Sequence, residues 1–353
     1  MTDAGFEGKS VLVVGGAGFV GSNLCRALLA EAPRRLLIVD NLLSADISNV
    51  PTDPAVDFLL GSITDDAVLG ALSDDLDYVF HLACYHGNQS SIADPLADHD
   101  HNLLPSLTLF NRLKDFSALT KVVYAAAGCA VAEKTNGEAQ ATAEDAPVSL
   151  YHDSPYAISK LVGELYGNYF FVRHRLPIVK ARFQNVYGPR EILGAGRWRG
   201  TPHTVWRNVT PTFIWKALAH GALPLENGGT SSRDFIYVAD IVDGLMRCAL
   251  TGVPGEVYNL ASGVETTIRD LAAAINAIVG NPTPVVVGPA RDWDRSGRRF
   301  GSTDKSRRAL GFIARTDLRQ GLESTVAWTI ANRPIIERCI AQHRDVMNLA
   351  GGR

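Results

Sequence analysis

Residues 11–21 of the chain read VLVVGGAGFVG, an apolar run that passes directly into a glycine-rich turn. Gly15, Gly18 and Gly21 have the spacing G-x-x-G-x-x-G, and a helical pattern follows them. Glycines at this spacing allow a tight turn and a close approach of the backbone to a pyrophosphate, while the helix N-terminus offers free N–H groups to phosphates. Asp40 ends the next apolar run, where a carboxylate accepts hydrogen bonds from ribose hydroxyls and repels a 2′-phosphate. The pattern therefore predicts a dinucleotide site that prefers NAD to NADP.

This turn belongs to a longer alternation of apolar runs and amphipathic segments. Buried strands are predicted at Val11–Val14, Leu36–Val39, Val56–Leu60, Tyr78–Ala83, Lys121–Ala126 and Ile178–Phe183. Amphipathic segments such as Ser22–Ala30 and Leu103–Lys114 lie between them and are typical of helices. Continuous apolar strands that alternate with helices indicate a parallel sheet covered on both faces. The predicted fold class is α/β, a doubly wound parallel sheet with a smaller C-terminal α/β lobe.

The character of the sequence changes after residue 188. Residues 188–208 are rich in glycine, arginine and tryptophan, which predicts a long loop. Short elements follow, namely strands at Phe235–Val238 and Val257–Leu260, a helix at Thr267–Val279 and an apolar run at Val285–Val287. We expect a dinucleotide-binding domain at residues 1–188, to which the chain returns around residues 235–262, and a mainly substrate-binding lobe at residues 189–353.

Composition excludes several classes of protein. The 353 residues are 46% hydrophobic with a net charge of −3, which is typical of a globular chain and not of a disordered or nucleic-acid-binding one. Glycine or proline breaks the longest charge-free stretches, so no membrane span is expected. Five scattered cysteines without paired spacing are typical of a reducing, cytoplasmic setting. His99 and His101 do not share a helix face and lack a third ligand in the pattern, so no metal site is expected.

A tyrosine–lysine pair stands in residues 154–160, which read SPYAISK. Pro155 is suited to the first turn of a helix, and the i,i+4 spacing puts Tyr156 and Lys160 on one face. An ammonium beside a phenol stabilises the phenolate, which is a suitable base for a sugar hydroxyl during hydride transfer to nicotinamide. The pair predicts a catalytic site.

Several motifs now follow one another in order along nearly the whole chain. After the glycine turn come residues 40–42 (DNL), residues 81–83 (HLA), the tyrosine–lysine pair, residues 182–189 (RFQNVYGP), residues 233–238 (RDFIYV) and residues 310–312 (LGF). This set resembles the extended short-chain dehydrogenase/reductases, the NAD-dependent nucleotide-sugar epimerases and dehydratases of the Rossmann fold. The resemblance implies tightly bound NAD that is recycled in each turnover, and a nucleoside-diphosphate sugar as substrate.

The resemblance also implies roles for particular residues. Tyr156 would be the catalytic base, Lys160 would stabilise its phenolate and hold the nicotinamide ribose, and Ser62 stands where relatives often have an Asp that contacts adenine. Asn185 would contact the sugar diphosphate, and Arg233 a phosphate. The residues expected to contact NAD are Gly15, Gly18, Phe19, Val20, Gly21, Asp40, Asn41, Ser62, Ile63, Leu82, Ala83, Tyr156 and Lys160.

Two further segments carry candidate substrate contacts. Residues 85–91 follow the fourth strand, at the sheet edge where ligands bind in open α/β sheets. Residues 190–207 carry four arginines and two tryptophans against one glutamate, and guanidinium groups suit phosphate or carboxylate oxygens. A diphosphate-binding arginine is also expected at 298 or 299, near Trp293 and Arg295. The expected substrate contacts are His86, Ser90, Asn185, Arg199, Arg207, Arg233 and Arg299.

Residues 124–133, which read YAAAGCAVAE, bear on the reaction. Most relatives have Ser or Thr where Ala127 stands, so the hydroxyl that bridges the sugar 4-OH and the tyrosine is missing. Cys129 and the hydroxyls of Ser90 and Ser91 are the candidate replacements. The 4,6-dehydratases carry Asp-Glu at residues 128–129, and the decarboxylases carry Glu at residue 129. Both lyase activities therefore fit this chain poorly.

Cys129 also resembles the proton-transferring cysteine of the GDP-mannose 3,5-epimerases, which makes it a candidate catalytic residue. The lysine that accompanies that cysteine has no counterpart here. Inversion at C4 is the plainer reaction, because it needs no further acid or base at C5. Inversion at C4 and inversion at C3 and C5 both stay open.

These observations predict NAD-dependent epimerisation of a nucleoside-diphosphate sugar through a transient 4-keto intermediate, at C4 or at C3 and C5. The alternatives are a dehydratase or decarboxylase, and a non-catalytic NAD-sensing regulator. The resemblance further implies a homodimer formed through the helices near Leu103–Lys114 and Tyr156–Arg173. No nucleic-acid or membrane partner is expected.

Overall fold

The computed structural model describes residues 5–131, 137–290 and 297–351, except for the side chains of Cys129 and of residues 349–351. Its strands are β1 (Ser10–Val14), β2 (Arg35–Asp40), β3 (Val56–Leu60), β4 (Tyr78–His81), β5 (Lys121–Ala127), β6 (Ala141–Thr142), β7 (Ile178–Phe183), β8 (Asn185–Tyr187), β9 (Pro224–Glu226), β10 (Ser232–Tyr237), β11 (Val257–Leu260), β12 (Glu265–Thr267), β13 (Val286–Gly288) and β14 (Phe300–Gly301).

The helices are α1 (Phe19–Ala30), α2 (Asp66–Gly70), α3 (Asn88–Ala93), α4 (Pro95–Asp98), α5 (Leu104–Leu113), α6 (Pro155–His174), α7 (Val209–Leu218), α8 (Val238–Leu250), α9 (Ile268–Val279), α10 (Asp304–Leu310), α11 (Leu318–Ala331), α12 (Arg333–Ala341) and α13 (Arg344–Gly351). A π-helical turn, His99–Leu103, connects α4 to α5. None of the helices within the described residues is long and apolar enough to cross a membrane.

The central sheet has seven parallel strands in the order β3-β2-β1-β4-β5-β7-β11. The strand order reverses between β1 and β4, and ligands bind at such a reversal, beyond the carboxyl ends of the strands. The predicted doubly wound fold is confirmed, and all six predicted strands of the first half are present. The fourth ends at His81 instead of Ala83, and α1 begins at Phe19 instead of Ser22.

Strand β1 shows why the sheet strands are apolar without interruption. Val11 and Val13 pack into the hydrophobic cluster on one face of the sheet, beneath α1 and α8. Leu12 and Val14 pack into the cluster on the other face, with side chains of α2, α5 and α6. Alternate residues of a strand point to opposite faces, so a sheet covered on both faces buries every position.

A smaller unit follows the first six strands of the sheet. Strand β10 pairs with β8 in parallel and with β12 in antiparallel, and α7, α9 and α11 pack with this small sheet in a core of their own. Strand β11 lies at the edge of the central sheet, next to β7, so the chain after residue 188 contributes to both units. The loop between β7 and β8 is short, which brings the two units together at the carboxyl end of β7.

Residues 188–208, which we call the arginine-rich loop, are held by the C-terminal helices. Nε2 of Gln342 donates to the carbonyl oxygens of Gly194 (2.7 Å) and Gly196 (2.9 Å), and Nε2 of His343 lies 2.9 Å from the Gly194 oxygen. Arg338 bonds to Asp46, in the loop that follows β2, at 2.9 Å. The end of the chain therefore fastens two loops that border the sheet's carboxyl edge.

Candidate active site

A cavity of about 700 Å³ opens at the carboxyl edge of the central sheet, between the two units. All of the residues predicted to contact NAD line it, namely Gly15, Gly18, Phe19, Val20, Gly21, Asp40, Asn41, Ser62, Ile63, Leu82, Ala83, Tyr156 and Lys160. Of the predicted substrate contacts, His86, Ser90, Asn185, Arg207, Arg233 and Arg299 line the same cavity. Arg199 is the exception among these described residues. Within the described residues, no group of three His, Cys, Asp or Glu side chains is arranged to hold a metal ion.

The glycine turn brings bare backbone to the cavity. Gly15 has a φ of +88°, and a Cβ there would lie 2.5 Å from the backbone nitrogen of Ala83. A Cβ on Gly21 would overlap the carbonyl oxygen of Gly15. Helix α1 starts after Gly18 with no side-chain cap, so its first N–H groups are left for a ligand. This surface without side chains fits a pyrophosphate.

The carboxylate of Asp40 lies beside the same turn. Its Oδ2 accepts a hydrogen bond from the backbone N–H of Ala17 at 3.0 Å, and its Oδ1 accepts one from Leu42 at 2.8 Å. Burial raises the pKa of Asp40, and these backbone N–H groups oppose the rise. An acceptor fixed next to the phosphate-binding turn fits a ribose that follows a pyrophosphate.

Helix α6 presents the tyrosine–lysine pair. Ser154 caps it by accepting a hydrogen bond from the N–H of Ala157 at 3.3 Å, and Pro155 occupies its first turn. The ammonium of Lys160 donates to the carbonyl oxygen of Ala125 at 2.9 Å and lies 6.0 Å from the centre of the Tyr156 ring. Lys160 is almost fully buried. The cation is thus fixed close to the tyrosine, as the i,i+4 spacing predicts.

The strand end that faces this pair is apolar. Ala127 and Gly128 form the junction between β5 and a short helical turn, and Ala127 lines the cavity. A Cβ on Gly128 would overlap the amide nitrogen of Gln184, so the side chain of Gln184 occupies the space that a larger residue at 128 would take. The side chain of Cys129, the predicted third catalytic group, lies outside the described residues.

A row of three polar side chains runs from the arginine-rich loop to the tyrosine. Nδ2 of Asn208 donates to Oε1 of Glu191, and Oδ1 of Asn208 lies 3.0 Å from Nε2 of His86. The imidazole of His86 meets the ring of Tyr156 edge-on, with centroids 6.0 Å apart. Burial lowers the pKa of His86 and raises the pKa of Glu191, so the imidazole is neutral near pH 7.

Arg207 and Arg199, both predicted to contact the substrate, lie in different places. Arg207 lines the cavity and donates to the carbonyl oxygens of Ser44 (2.8 Å) and Ala195 (2.5 Å). Burial, together with the charge of Arg199, lowers the pKa of Arg207 to about 10. Arg199 instead donates to the carbonyl oxygen of His86 at 2.7 Å and lies 5.3 Å from the ring centre of Tyr85. Arg199 therefore supports the loop that carries His86 instead of facing the cavity.

The smaller unit adds further cations. Arg233, on β10, donates to the carbonyl oxygens of Ser232 and Gly297, and Arg299 lines the cavity near it. Arg298 forms an ion pair with Glu265 at 2.8 Å, so of the two adjacent arginines it is Arg299 that faces the cavity. Trp293 and Arg295 lie outside the described residues.

Comparison with known proteins agrees with this geometry. Residues 11–261 match the model of the NAD dependent epimerase/dehydratase family. The chain belongs to this family. It is 31% identical to a UDP-glucose 4-epimerase of Mycolicibacterium smegmatis over 89% of this chain and 96% of that protein. It is 30% identical to a dTDP-glucose 4,6-dehydratase of Streptomyces antibioticus over 92% of this chain and 93% of that protein.

Among solved structures, the chain is similar to the Bordetella bronchiseptica enzyme WbmF in complex with NAD+ and UDP. The TM-score is 0.88 and the identity 55%, with 98% of each chain covered. The protein is therefore an enzyme of the epimerase/dehydratase family, and its cofactor is NAD. Membership of an enzyme family, with Tyr156 and Lys160 lining the cavity, argues against the regulator alternative.

Some polar residues of the cavity are missing from the sequence-based prediction of the site. Gln184 lies inside a quoted motif, but nothing in the sequence indicates that it fills the space beside Gly128. Asn208 and Glu191 are 17 residues apart and meet only because the arginine-rich loop folds back on itself. Lys216, in α7, also lines the cavity. The surplus of arginine over glutamate in residues 190–207 is the signal that singles out this loop.

Proposed function

We propose that this family member inverts C4 of a nucleoside-diphosphate sugar through a transient 4-keto sugar. One observation carries the proposal: Tyr156 and Lys160 lie together in the cavity, while Gly128 and Cys129 stand where the dehydratases carry their Asp-Glu pair. Inversion at C4 needs a base at one hydroxyl. Loss of water would also need groups that move a proton from C5 and expel the C6 hydroxyl, so the absence of a carboxylate at 128 and 129 favours the epimerase over the dehydratase.

When bound, NAD supplies a reversible hydride acceptor for the sugar. Tyr156 takes the proton of the 4-hydroxyl and later gives it back. The ammonium of Lys160, 6.0 Å from the tyrosine ring, stabilises the phenolate while the proton is away. A base and a cation fixed on one helix face keep the same geometry in both directions of the reaction.

The two units divide the binding of the ligands in this proposal. The glycine turn and the N-terminus of α1 hold the pyrophosphate of NAD, and Asp40 holds the adenosine ribose. Arg233 and Arg299, with Asn185, hold the diphosphate of the sugar nucleotide, because guanidinium groups match phosphate oxygens. The presence of UDP in the WbmF structure supports a uridine nucleotide as the first one to test.

The test is incubation of the NAD-loaded protein with UDP-sugars in D2O, followed by proton NMR of the products. A C4 epimer without deuterium at carbon supports the proposal. Deuterium at C3 or C5 contradicts it in favour of 3,5-epimerisation with Cys129 as proton carrier. A product lighter by one water identifies a dehydratase, and loss of carbon dioxide a decarboxylase.

A matched pair of variants tests the role of Tyr156. Tyr156→Phe removes the base and is expected to lower kcat by about 10²- to 10⁴-fold. Tyr151→Phe, at a residue that is 89% exposed, is expected to leave kcat unchanged. Both variants should retain NAD, and equal kcat values in the two would contradict the role of Tyr156.

We also propose that the enzyme is a homodimer formed through α6. Ile158, Leu165, Tyr169 and Val172 lie at helical spacing along this helix, and Val172 is 79% exposed. Rows of exposed apolar side chains are typical of protein interfaces. Light scattering should give a mass of two chains, and Val172→Asp should give one chain. Val264→Asp, at an exposed valine of the smaller unit, should leave the dimer intact.

A further inference from the structure

His86 has a hydrogen-bonding atom that nothing in the described part of the chain uses. Its Nε2 is bonded to Oδ1 of Asn208. Its Nδ1 has no hydrogen-bond partner among the described residues and is not sealed from solvent, and His86 lines the cavity. The atom is therefore available to a ligand that lies beside Tyr156.

The hydrogen bonds of Asn208 decide which nitrogen of His86 carries the proton. Its amide N–H group points to the carboxyl of Glu191, so its carbonyl oxygen points to His86. A carbonyl oxygen only accepts, so Nε2 must carry the hydrogen. In a neutral imidazole the other nitrogen, Nδ1, then carries a lone pair and acts only as an acceptor.

The backbone that carries His86 is fixed on both sides. The side-chain amide of Asn102 accepts from the N–H of Tyr85 at 2.7 Å and donates to the carbonyl oxygen of the same residue at 3.3 Å. Asn102 is itself oriented by Asp98. Arg199 holds the carbonyl oxygen of His86. An acceptor held in this way discriminates between ligands because it does not move to suit them.

The other polar side chains near Tyr156 are less available to a sugar than His86 is. Ser91 Oγ accepts from the N–H of Tyr156 at 3.2 Å and donates to the carbonyl oxygen of Asn88 at 2.7 Å, so it is committed to the protein. Ser90 is 1% exposed and offers the cavity almost no surface. His86, whose ring lies 6.0 Å from that of Tyr156, is better placed to contact the sugar.

We propose that Nδ1 of His86 accepts a hydrogen bond from the sugar hydroxyl at C3, next to the 4-hydroxyl that Tyr156 deprotonates, and that Asn208 and Glu191 are positioning residues for this contact. The inference rests on the proposed C4 chemistry, because it takes the hydroxyl at Tyr156 to be the one at C4. The enzyme then requires a hydrogen-bond donor at C3 of its substrate. His86 is thereby a specificity-determining residue.

The test measures binding to the NAD-loaded protein by calorimetry, with UDP, UDP-glucose and UDP-3-deoxyglucose as probes. Wild type should bind UDP-glucose about 10-fold more tightly than the 3-deoxy compound, the value of one neutral hydrogen bond. In His86→Gln, which extends an amide toward Asn208 and leaves the position of Nδ1 empty, the two affinities should agree within about twofold. His86→Asn, which keeps a polar atom near Nδ1, should retain part of the preference. His99→Gln, at an exposed histidine, should behave as wild type.

Two results would overturn the inference while UDP still binds. They are equal affinities of the wild type for the two sugars, and an undiminished preference in His86→Gln. Failure of the wild type to bind UDP would instead count against the proposed function. This result comes from the wild type alone, so it is distinguished from a failure of the His86 contact. NAD content and thermal unfolding confirm that each variant is folded, and the wild-type comparison needs no variant at all.

Discussion

The two sides of the cavity differ in the groups that line them, which are backbone at the glycine turn and charged side chains at the arginine-rich loop. On the glycine-turn side, backbone faces the ligand space, and Gly15, Gly21 and the start of α1 leave it bare. On the side of the arginine-rich loop, charged side chains are held by specific partners: Arg207 donates to the carbonyl oxygens of Ser44 and Ala195, and the carboxyl of Glu191 accepts from the amide of Asn208. The glycine-turn side can bind a ligand because side chains are absent there. The side of the arginine-rich loop keeps its structure because charged side chains such as these two have hydrogen-bond partners. The same kind of substitution should therefore have different effects on the two sides.

The largest effect is expected on the glycine-turn side. Gly21→Ala places a Cβ against the carbonyl oxygen of Gly15, so the turn must leave the conformation that we propose holds the pyrophosphate of NAD. A strain of about 3 kcal/mol corresponds to a loss of NAD affinity of about 100-fold. Calorimetric titration with NAD measures the loss. Gly70→Ala, where the added Cβ has open space, is the control, and equal affinities in the two variants would contradict the bare-backbone account.

On the opposite side, Arg207→Met should act on stability. It removes the donor from the part-buried carbonyl oxygens of Ser44 and Ala195 and a cation from the neighbourhood of Glu191. We expect the free energy of unfolding to fall by about 2 kcal/mol, as measured by urea unfolding. Arg197→Met, at an exposed arginine of the same loop, should change it by less than about 0.5 kcal/mol. An unchanged stability in Arg207→Met would mean that the burial of this charge costs as much as its bonds return.

Acid should affect the glycine-turn side through His81, at the end of β4. Burial lowers the pKa of His81 to about 3, while the unfolded chain has the ordinary value near 6.5. Below pH 6.5 the unfolded state takes up a proton that the folded state does not bind. This group therefore lowers stability as the pH falls from 6.5 toward 3, by up to about 1.4 kcal/mol per pH unit.

The measurement is the slope of unfolding free energy against pH between 6.5 and 5. His81→Asn should have a shallower slope than wild type, whatever its stability at pH 7. His99→Asn, at an exposed residue, should keep the wild-type slope. A slope unchanged by His81→Asn would mean that His81 takes up a proton without unfolding of the chain.

The smallest effect is expected where the C-terminal helices hold the arginine-rich loop. Gln342→Ala removes the donor to the carbonyl oxygens of Gly194 and Gly196. Part of this contact is exposed, so a loss of about 1 kcal/mol is expected. Gln320→Ala, at an exposed residue of α11, should cost less, and the difference in melting temperature between the two variants measures the contact. No difference would show that the loop keeps its position without Gln342.

The sequence predicts the glycine-turn side of the cavity better than the side of the arginine-rich loop. Glycine spacing, the position of Asp40 and the i,i+4 spacing of Tyr156 and Lys160 are local patterns, and the structure gathers all of these residues at one cavity. The predicted start of α1 is wrong by three residues because helix propensity disfavours Gly21, whereas the packing of the turn requires it.

The other side could not be predicted in this detail. His86 and Asn208 are separated by 122 residues, so no local pattern reports their contact. Arg199 and Arg207 look alike in the sequence, but only the fold of the loop turns one toward His86 and the other toward the cavity. Long-range partners of buried charges are a property of the tertiary structure.

The contact between the chain's end and the arginine-rich loop has a consequence for synthesis on the ribosome. Domains fold largely from the N-terminus as the chain emerges. The strands β1 to β5 and their helices are available early, but Gly194 and Gly196 receive their partner only when Gln342 has been made. A nascent chain, or one cut short by a premature stop codon between α11 and Gln342, would therefore carry an intact glycine turn beside a loop that keeps contacts such as Arg207 with Ser44 but lacks its C-terminal partners.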